Sequence, residues 1–338
     1  MWLPVMGMEF SIPILIAIGF AVGVLAGFFG VGGGWIITPS LNIFGFPMPF
    51  AIGTGLANIT GQSALASVKH RRMGNVDYRL GGIVGFAMVF GVEGGKRLIL
   101  VLESLGVVDT VVRAVYFLLL GSLGAYMLYE YGKEMMQRAR DRANGVATDG
   151  AEVAKRKRGE SAPLGAVKLP PMVTLKSCDR RVSLWVLGGT GLAVGLMAGT
   201  MGSGGGFALV PMFVFLLGVP TYVAVSTSLI CVTISGTFGA FTYAVEGKVE
   251  LFAALWMLLG ASVGTQLGSS AVRYVRGYGI RLLYALMLLL AAASVLMKQF
   301  DLTGPAAVAI LGGTLVMCAV IVGAMIRAVL RERAASRE

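Results

Sequence analysis

The sequence predicts an all-α polytopic membrane protein built from two inverted copies of one unit. Three observations predict it: a chain too apolar for a water-facing surface, a gapless internal repeat around two glycine clusters, and loop charges distributed in opposite senses in the two copies. Of the 338 residues, 56% are hydrophobic and 13% charged, and the mean hydropathy is +0.81. A soluble core cannot hide that much apolar surface, so lipid has to act as solvent. Soluble domains carry about a quarter charged residues, whereas these charges gather in short segments between long apolar stretches. Residues 1–10 hold no Lys or Arg and so lack the positive start of a cleavable signal, and Met1 is expected to begin the mature protein.

Apolar segments of spanning or near-spanning length run over residues 10–29, 51–68, 78–95 and 110–129, then over 183–202, 222–245, 251–268 and 280–297, with one more at 306–326. Two shorter pieces, 35–44 and 207–217, follow the glycine clusters. At about 1.5 Å per residue they cannot cross a hydrocarbon core of about 30 Å, so they read as half-helices. The expected architecture is eight or nine transmembrane helices plus two half-helices. It divides into a first membrane repeat (1–130), a basic cytoplasmic linker (131–182), a second repeat (183–298), and an extra C-terminal helix with a basic tail (299–338). The linker carries Lys155-Arg-Lys-Arg158, Pro163 and Pro170-Pro171 and reads as a solvated connection, with lipid binding or regulation by the basic run as the other reading.

Residues 19–34 align without gaps with 191–206, and extension to Pro39 and Pro211 gives 11 identities in 21 positions. After a one-residue slip the match continues through Gly45-Phe-Pro47 with Gly218-Val-Pro220, Gly74 with Gly247, and the pairs Gly91/Gly95 with Gly264/Gly268. The last span has no partner. Lys69-His-Arg-Arg72 and Arg79 mark one loop as cytoplasmic, while its counterpart Glu246-Gly-Lys-Val-Glu250 is free to sit outside. The loop carrying Arg273, Arg276 and Arg281 is basic again, whereas its counterpart between Lys96 and Asp109 is balanced. Equivalent loops therefore face opposite sides, which makes the repeats inverted, with the N-terminus outside and the linker and C-terminus inside. This requires each leading segment and its half-helix to make zero or two crossings, as a re-entrant hairpin or as one full and one short span.

Gly30-Val-Gly-Gly-Gly34 and Gly202-Ser-Gly-Gly-Gly206 break the helices inside apolar sequence, where irregular backbone persists only when buried in protein or lining a wet cavity. The half-helix after each break presents free N–H groups and a positive dipole end, which suits an anion. In an inverted repeat the two breaks meet near the midplane. Gly30, Gly32, Gly33, Gly34, Gly202, Ser203, Gly204, Gly205 and Gly206 are thus candidate substrate-binding residues, acting through backbone N–H groups and a hydroxyl because neither cluster holds a Lys or Arg. Close helix packing is the competing reading of the same glycines.

Polar residues of the following span could complete the site: Thr54, Asn58, Thr60, Gln62 and Ser63 in one copy, Ser226, Thr227, Ser228, Thr233 and Ser235 in the other. The aligned pair Thr54 and Thr227, with Asn58, are the preferred side-chain contacts, although such hydroxyls often bond their own helix. Glu93, aligned with Gln266, is a candidate for ion coupling, or an interfacial ion-pair member given Lys96 and Arg97 within a turn. Lys69, Arg71 and Arg72 could draw anions to a cytoplasmic vestibule, but orientation already accounts for them. Cys178, Cys231, Cys318 and the single His70 form no metal or redox spacing, and the net charge of +11 sits in loops, where it reports orientation rather than nucleic-acid binding.

The glycine breaks, the prolines after them, the Gly-x-Pro turns, the Ala51-Ile-Gly-Thr54 and Ala224-Val-Ser-Thr227 runs, and Gly74-Asn-Val-Asp77 resemble the TauE/SafE sulfite exporter family over about residues 10–297. The resemblance implies an inner-membrane permease for sulfite, organosulfonates or related anions, driven by an ion gradient. The long linker and the last span depart from a compact member. A secondary transporter working by alternating access is expected, with a passive anion channel or a carrier of a non-sulfur anion as the alternatives. An enzyme is not expected, since no His cluster, nucleophile elbow or paired midplane carboxylates are present. The partners expected are the lipid bilayer, a small inorganic or organosulfur anion and a coupling proton or sodium ion, with a homodimer as a further candidate. No nucleic acid, metal or cofactor is expected.

Overall fold

A computed structural model describes residues 2–5, 7–29, 31–72, 76–143, 170–175, 180–271 and 278–335. The chain is all-α apart from two short antiparallel hairpins, β1 (Trp2–Leu3) with β2 (Met8–Glu9) and β3 (Met172–Leu175) with β4 (Arg180–Ser183). The first repeat contains α1 (Ile12–Phe29), α2 (Gly34–Ile43), α3 (Met48–Arg72), α4 (Tyr78–Ser104) and α5 (Val108–Ala143). The second contains α6 (Leu184–Met201), α7 (Gly206–Pro211) running into a π turn (Met212–Leu216), α8 (Thr221–Val245), α9 (Leu251–Ala271) and α10 (Tyr278–Gln299). The extra segment is α11 (Thr303–Ala307), a π turn (Val308–Gly312) and α12 (Gly313–Ala335).

Among the described residues, seven helical stretches are long and apolar enough to cross a membrane: α1, α6, α8, α9, the greater parts of α5 and α10, and residues 303–327. The helices α3 and α4, of 25 and 27 residues, are also long enough. Their apolarity is diluted by Asn58, Gln62 and Ser63 in one and by Glu93, Lys96 and Arg97 in the other. Phe86 and Phe90 on α4, Leu255 and Leu259 on α9, and Val308, Leu315 and Val316 at the C-terminal end are all exposed. Large apolar side chains turned outward over buried Thr, Asn and Gln are the arrangement expected when the surrounding medium is lipid.

The two repeats are interlocked rather than side by side. The first helix of each packs along the fourth helix of the other, α1 on α9 and α4 on α6, in the two most extensive helix contacts of the molecule. Glycine makes both possible. Gly19, Gly23 and Gly27 lie against the backbones of Met257, Ala261 and Thr265, and Gly191, Gly195 and Gly199 against those of Val84, Met88 and Val92. Without a hydrophobic drive between helices in lipid, close backbone approach through small residues is what holds such pairs together.

These contacts also fix direction. Residue numbers rise together along α1 and α9 and along α4 and α6, so each of those pairs is parallel. Equivalent helices of the two repeats run antiparallel: Gly53 of α3 meets Tyr243 and Lys248 while Gly236 of α8 meets Thr60, and Gly121 and Gly124 of α5 meet Ala292 and Leu289 of α10. Antiparallel equivalents mean inverted repeats, as the loop charges predict. Direction also settles the leading hairpin. Gly34 lies beside Ile59 and Thr38 beside Gly55, so α2 runs back against α3 and returns to the face where α1 began. With 10 residues, α2 covers only about 15 Å, half a membrane. The hairpin makes no net crossing, and its glycine tip sits at the middle of α3. Below, the face where α1 starts is the N-terminal face, and the face where α5 ends is the linker face. The helix α5 itself continues past residue 130 to Ala143.

Candidate functional site at the glycine tips

The two tips meet each other. Gly32 and Gly204, equivalent residues with φ of +66° and +64°, both face Ile59 of α3 and Val232 of α8. A side chain at Gly34 would strike the Gly202 carbonyl and Ser203, and one at Gly206 would fall on the Val31 carbonyl. Gly32 to Gly34 and Gly202 to Gly206 are all buried, and Ser203 is fully so. Neither helix that starts at a tip has a side-chain cap: Gly33 precedes α2 and Gly205 precedes α7 with no capping hydrogen bond. Of the predicted tip residues, only Gly30 lies outside the described residues.

Polar atoms border the tips on both sides. Ser63 Oγ points at Gly32, where an added Cβ would stand 3.3 Å away, and Ser63 Oγ and Gln62 Oε1 are buried without a hydrogen-bond partner. At the position equivalent to Gln62, Ser235 Oγ donates to the Gly204 carbonyl at 3.3 Å, and Ser203 Oγ accepts from the Gly205 N–H at 3.4 Å. An unpaired buried polar group costs about 1–3 kcal/mol, so the free Ser63 hydroxyl beside a glycine tip, able to donate, marks a place prepared for a polar occupant.

The preferred threonines have a different occupation. Thr54 Oγ1 accepts the backbone N–H of Glu250 at 2.9 Å, and Thr227 Oγ1 accepts that of Asp77 at 3.1 Å. The aligned threonines are therefore symmetric clasps, each gripping the start of the other repeat's fourth helix. Asn58 donates to the Ala254 carbonyl at 3.1 Å and accepts from Gln62, which ties α3 to α9. Thr54→Val and Thr227→Val should each cost about 1–3 kcal/mol, because a buried N–H loses its acceptor. Both should lower the thermal midpoint of the purified protein while leaving its half-saturating anion concentration unchanged; a large rise in that concentration would restore the threonines as ligand contacts.

Glu93 is an ion-pair member. It binds Arg97 at 2.9 Å and Lys96 at 3.5 Å, and Lys96 reaches Glu246 at 3.3 Å, linking α4 to the end of α8 on the N-terminal face. Gln266 is exposed near the end of α9 on the linker face, away from Glu93. The side chains of Lys69, Arg71 and Arg72 lie outside the described residues.

Two sets of residues were not singled out from the sequence. Glu250 is fully buried, with Oε2 accepting from the Val5 N–H at 3.0 Å and Oε1 unpartnered, and its equivalent Asp77 caps α4 through Arg79 and Leu80. The shared Gly-x-Val-acid pattern of 74–77 and 247–250 was the available signal. The second set is a pair of buried tyrosines. Tyr116 OH donates to the Met201 carbonyl at the foot of one tip, while Tyr284 packs on Phe29 and Trp35 at the other and donates to Phe207 O at 3.0 Å. Arg113-Ala-Val-Tyr116 and Arg281-Leu-Leu-Tyr284 repeat one pattern that the sequence shows.

Comparison with known proteins points to membrane transport. The probable membrane transporter protein YunE of Bacillus subtilis is 26% identical over 292 residues, covering 83% of this chain and 95% of that protein. YdhB of the same organism, also named a probable membrane transporter protein, is 26% identical over 258 residues, 76% of this chain and 88% of that one. A probable membrane transporter protein of Methanocaldococcus jannaschii is 31% identical over 100 residues, but the match spans only 38% of that protein and 28% of this chain. No solved structure matches. The family described as sulfite exporter TauE/SafE matches residues 15–295, and the chain, a multi-pass membrane protein, belongs to that family.

Proposed function

We propose that this protein is a secondary transporter that carries a small sulfur-containing anion, sulfite or an organosulfonate, across the inner membrane by alternating access. The family's description supports the sulfur anion, and the basic loops on the linker face support placing that face in the cytoplasm. The observation that carries the reading is the pair of glycine tips meeting at mid-depth beside the unpartnered Ser63 hydroxyl. Uncapped helix starts and hydroxyls hold an anion by hydrogen bonds without a fixed cationic partner, which permits release. Ile59 and Val232 close the space around the tips in this conformation, which favours a carrier over an open channel.

The test is flux in proteoliposomes. The wild type should move sulfite with saturation and show counterflow, and flux linear in concentration would instead indicate a channel. Ser63→Ala, which removes the hydroxyl without adding bulk, should reduce sulfite flux about tenfold with the protein still folded in detergent. Unchanged flux in Ser63→Ala would defeat the site.

A further inference from the structure

On the N-terminal face, across Tyr116 from the second tip, lies a small cleft of about 10 Å³, room for about one water in this conformation, whose lining includes Ile43, Val295, Asn42, Arg113, Tyr116 and Lys298. The Arg113 side chain is only 17% exposed, yet its nearest carboxylate, Asp109, stands at 3.5 Å from Nη2, the outer limit of a hydrogen bond. Its better bond is from Nε to the neutral Asn42 Oδ1 at 3.0 Å. Asp109 Oδ1 is already engaged by Asn42 Nδ2, also at 3.0 Å. Lys298, on the opposite wall, has a neutral partner too, the Thr303 hydroxyl at 3.2 Å. Two cations and one partly committed carboxylate leave this cluster net positive.

The cleft also leads somewhere. Tyr116 lines it and donates its hydroxyl to Met201 O at the foot of the second tip, while Thr38, one turn of α2 from Asn42, reaches the Gly202 carbonyl at 3.5 Å. Tyr116 and Thr38 thus link the walls of the cleft to the second tip. The same unit recurs in α10 as Arg281-Leu-Leu-Tyr284, with the Tyr284 ring against Phe29 and Trp35 of the first tip; the Arg281 side chain lies outside the described residues.

We propose that the Asn42–Arg113–Lys298 cleft is a second anion station, on the outward side of the path, with Tyr116 as the gate between it and the tips. The proposal rests on the anion-transporter reading above and names where the substrate waits. The ligand class is a small oxyanion with several acceptor oxygens, because a planar guanidinium fork and an ammonium together match adjacent oxygens better than a halide. On arrival the anion takes the N–H groups of Arg113 that Asp109 holds loosely, and Lys298 turns from Thr303 toward it. Movement onward requires Tyr116 to leave the Met201 carbonyl.

The experiment pairs binding with sidedness. Sulfite is titrated into the purified full-length protein, with chloride as the comparison, for the wild type, Arg113→Gln, Arg113→Lys, Lys298→Gln and Tyr116→Phe, each first shown monodisperse in detergent. Arg113→Gln and Lys298→Gln should weaken sulfite binding about tenfold, Arg113→Lys less, and Tyr116→Phe little. In oriented proteoliposomes, Arg113→Gln should raise KM about tenfold from the N-terminal face and leave it near wild type from the linker face, while Tyr116→Phe should change kcat more than KM. Wild-type binding that Arg113→Gln leaves intact, or KM raised equally from both faces, would overturn the station. If the wild type moves no sulfur anion, the transport reading fails, and the titration alone then decides the cleft: loss of sulfite binding in Arg113→Gln sustains it, and no wild-type binding refutes it.

Discussion

Gly206→Ala is expected to abolish sulfite flux and to destabilise the folded protein, although it adds one methyl group. That carbon would fall on the Val31 carbonyl of the opposite tip, backbone that has no rotamer with which to yield. The tips would have to separate, and overpacking of this kind costs about 1–3 kcal/mol. Gly34→Ala should act alike, since its Cβ would meet the Gly202 carbonyl and Ser203. The comparison is Gly82→Ala in α4, where nothing lies within 4 Å, and there the gain in helix propensity of about 1 kcal/mol should leave flux intact. Flux assays with melting curves for the three variants provide the check; wild-type flux in Gly206→Ala would mean that contact between the tips is dispensable.

Gly195→Leu and Gly23→Leu are expected to do more, removing folded protein altogether. Even a Cβ at Gly195 would meet the Met88 backbone, and one at Gly23 the Ala261 backbone, so a leucine forces α6 from α4 or α1 from α9 along much of their length. Because helix association in lipid depends on close packing rather than on expulsion of water, the loss should be about 3 kcal/mol or more. A monodisperse peak after detergent extraction is the measurement. Gly189→Leu, on the open side of α6, should retain that peak; its loss there too would mean that bulk anywhere on α6 is harmful, and not the parallel contact itself.

Much of this architecture could be read from the chain because lipid leaves large traces in composition. Apolar runs gave the helices, glycine clusters the breaks, and Lys69-His-Arg-Arg72 against Glu246-Gly-Lys-Val-Glu250 the inversion. The direction of α2 could not be read, since length alone does not say which way a half-helix turns. Partners were also hidden. Thr54 and Thr227 looked like ligand residues because they were aligned and polar inside apolar sequence, but their acceptor role depends on Glu250 and Asp77 arriving from the other repeat. Ser63 is no more polar than Thr60 or Gln62 on the same helix; only its packing, with Ile59, against Gly32 sets it apart. The Arg113 and Arg281 units sit in a shifted register relative to the glycine alignment, which conceals their correspondence.

The exchange of first and fourth helices sets a schedule for biogenesis. During synthesis α1 emerges well before α9, yet the surface that covers its glycine face is α9, and Val5 finds Glu250 only 245 residues later. The first repeat therefore waits in lipid with one flank bare until the second is nearly complete, and the second arrives needing α4 for α6. Assembly is then a single late event that commits both halves together, and any nascent chain truncated before α9 is a natural target for quality-control proteolysis.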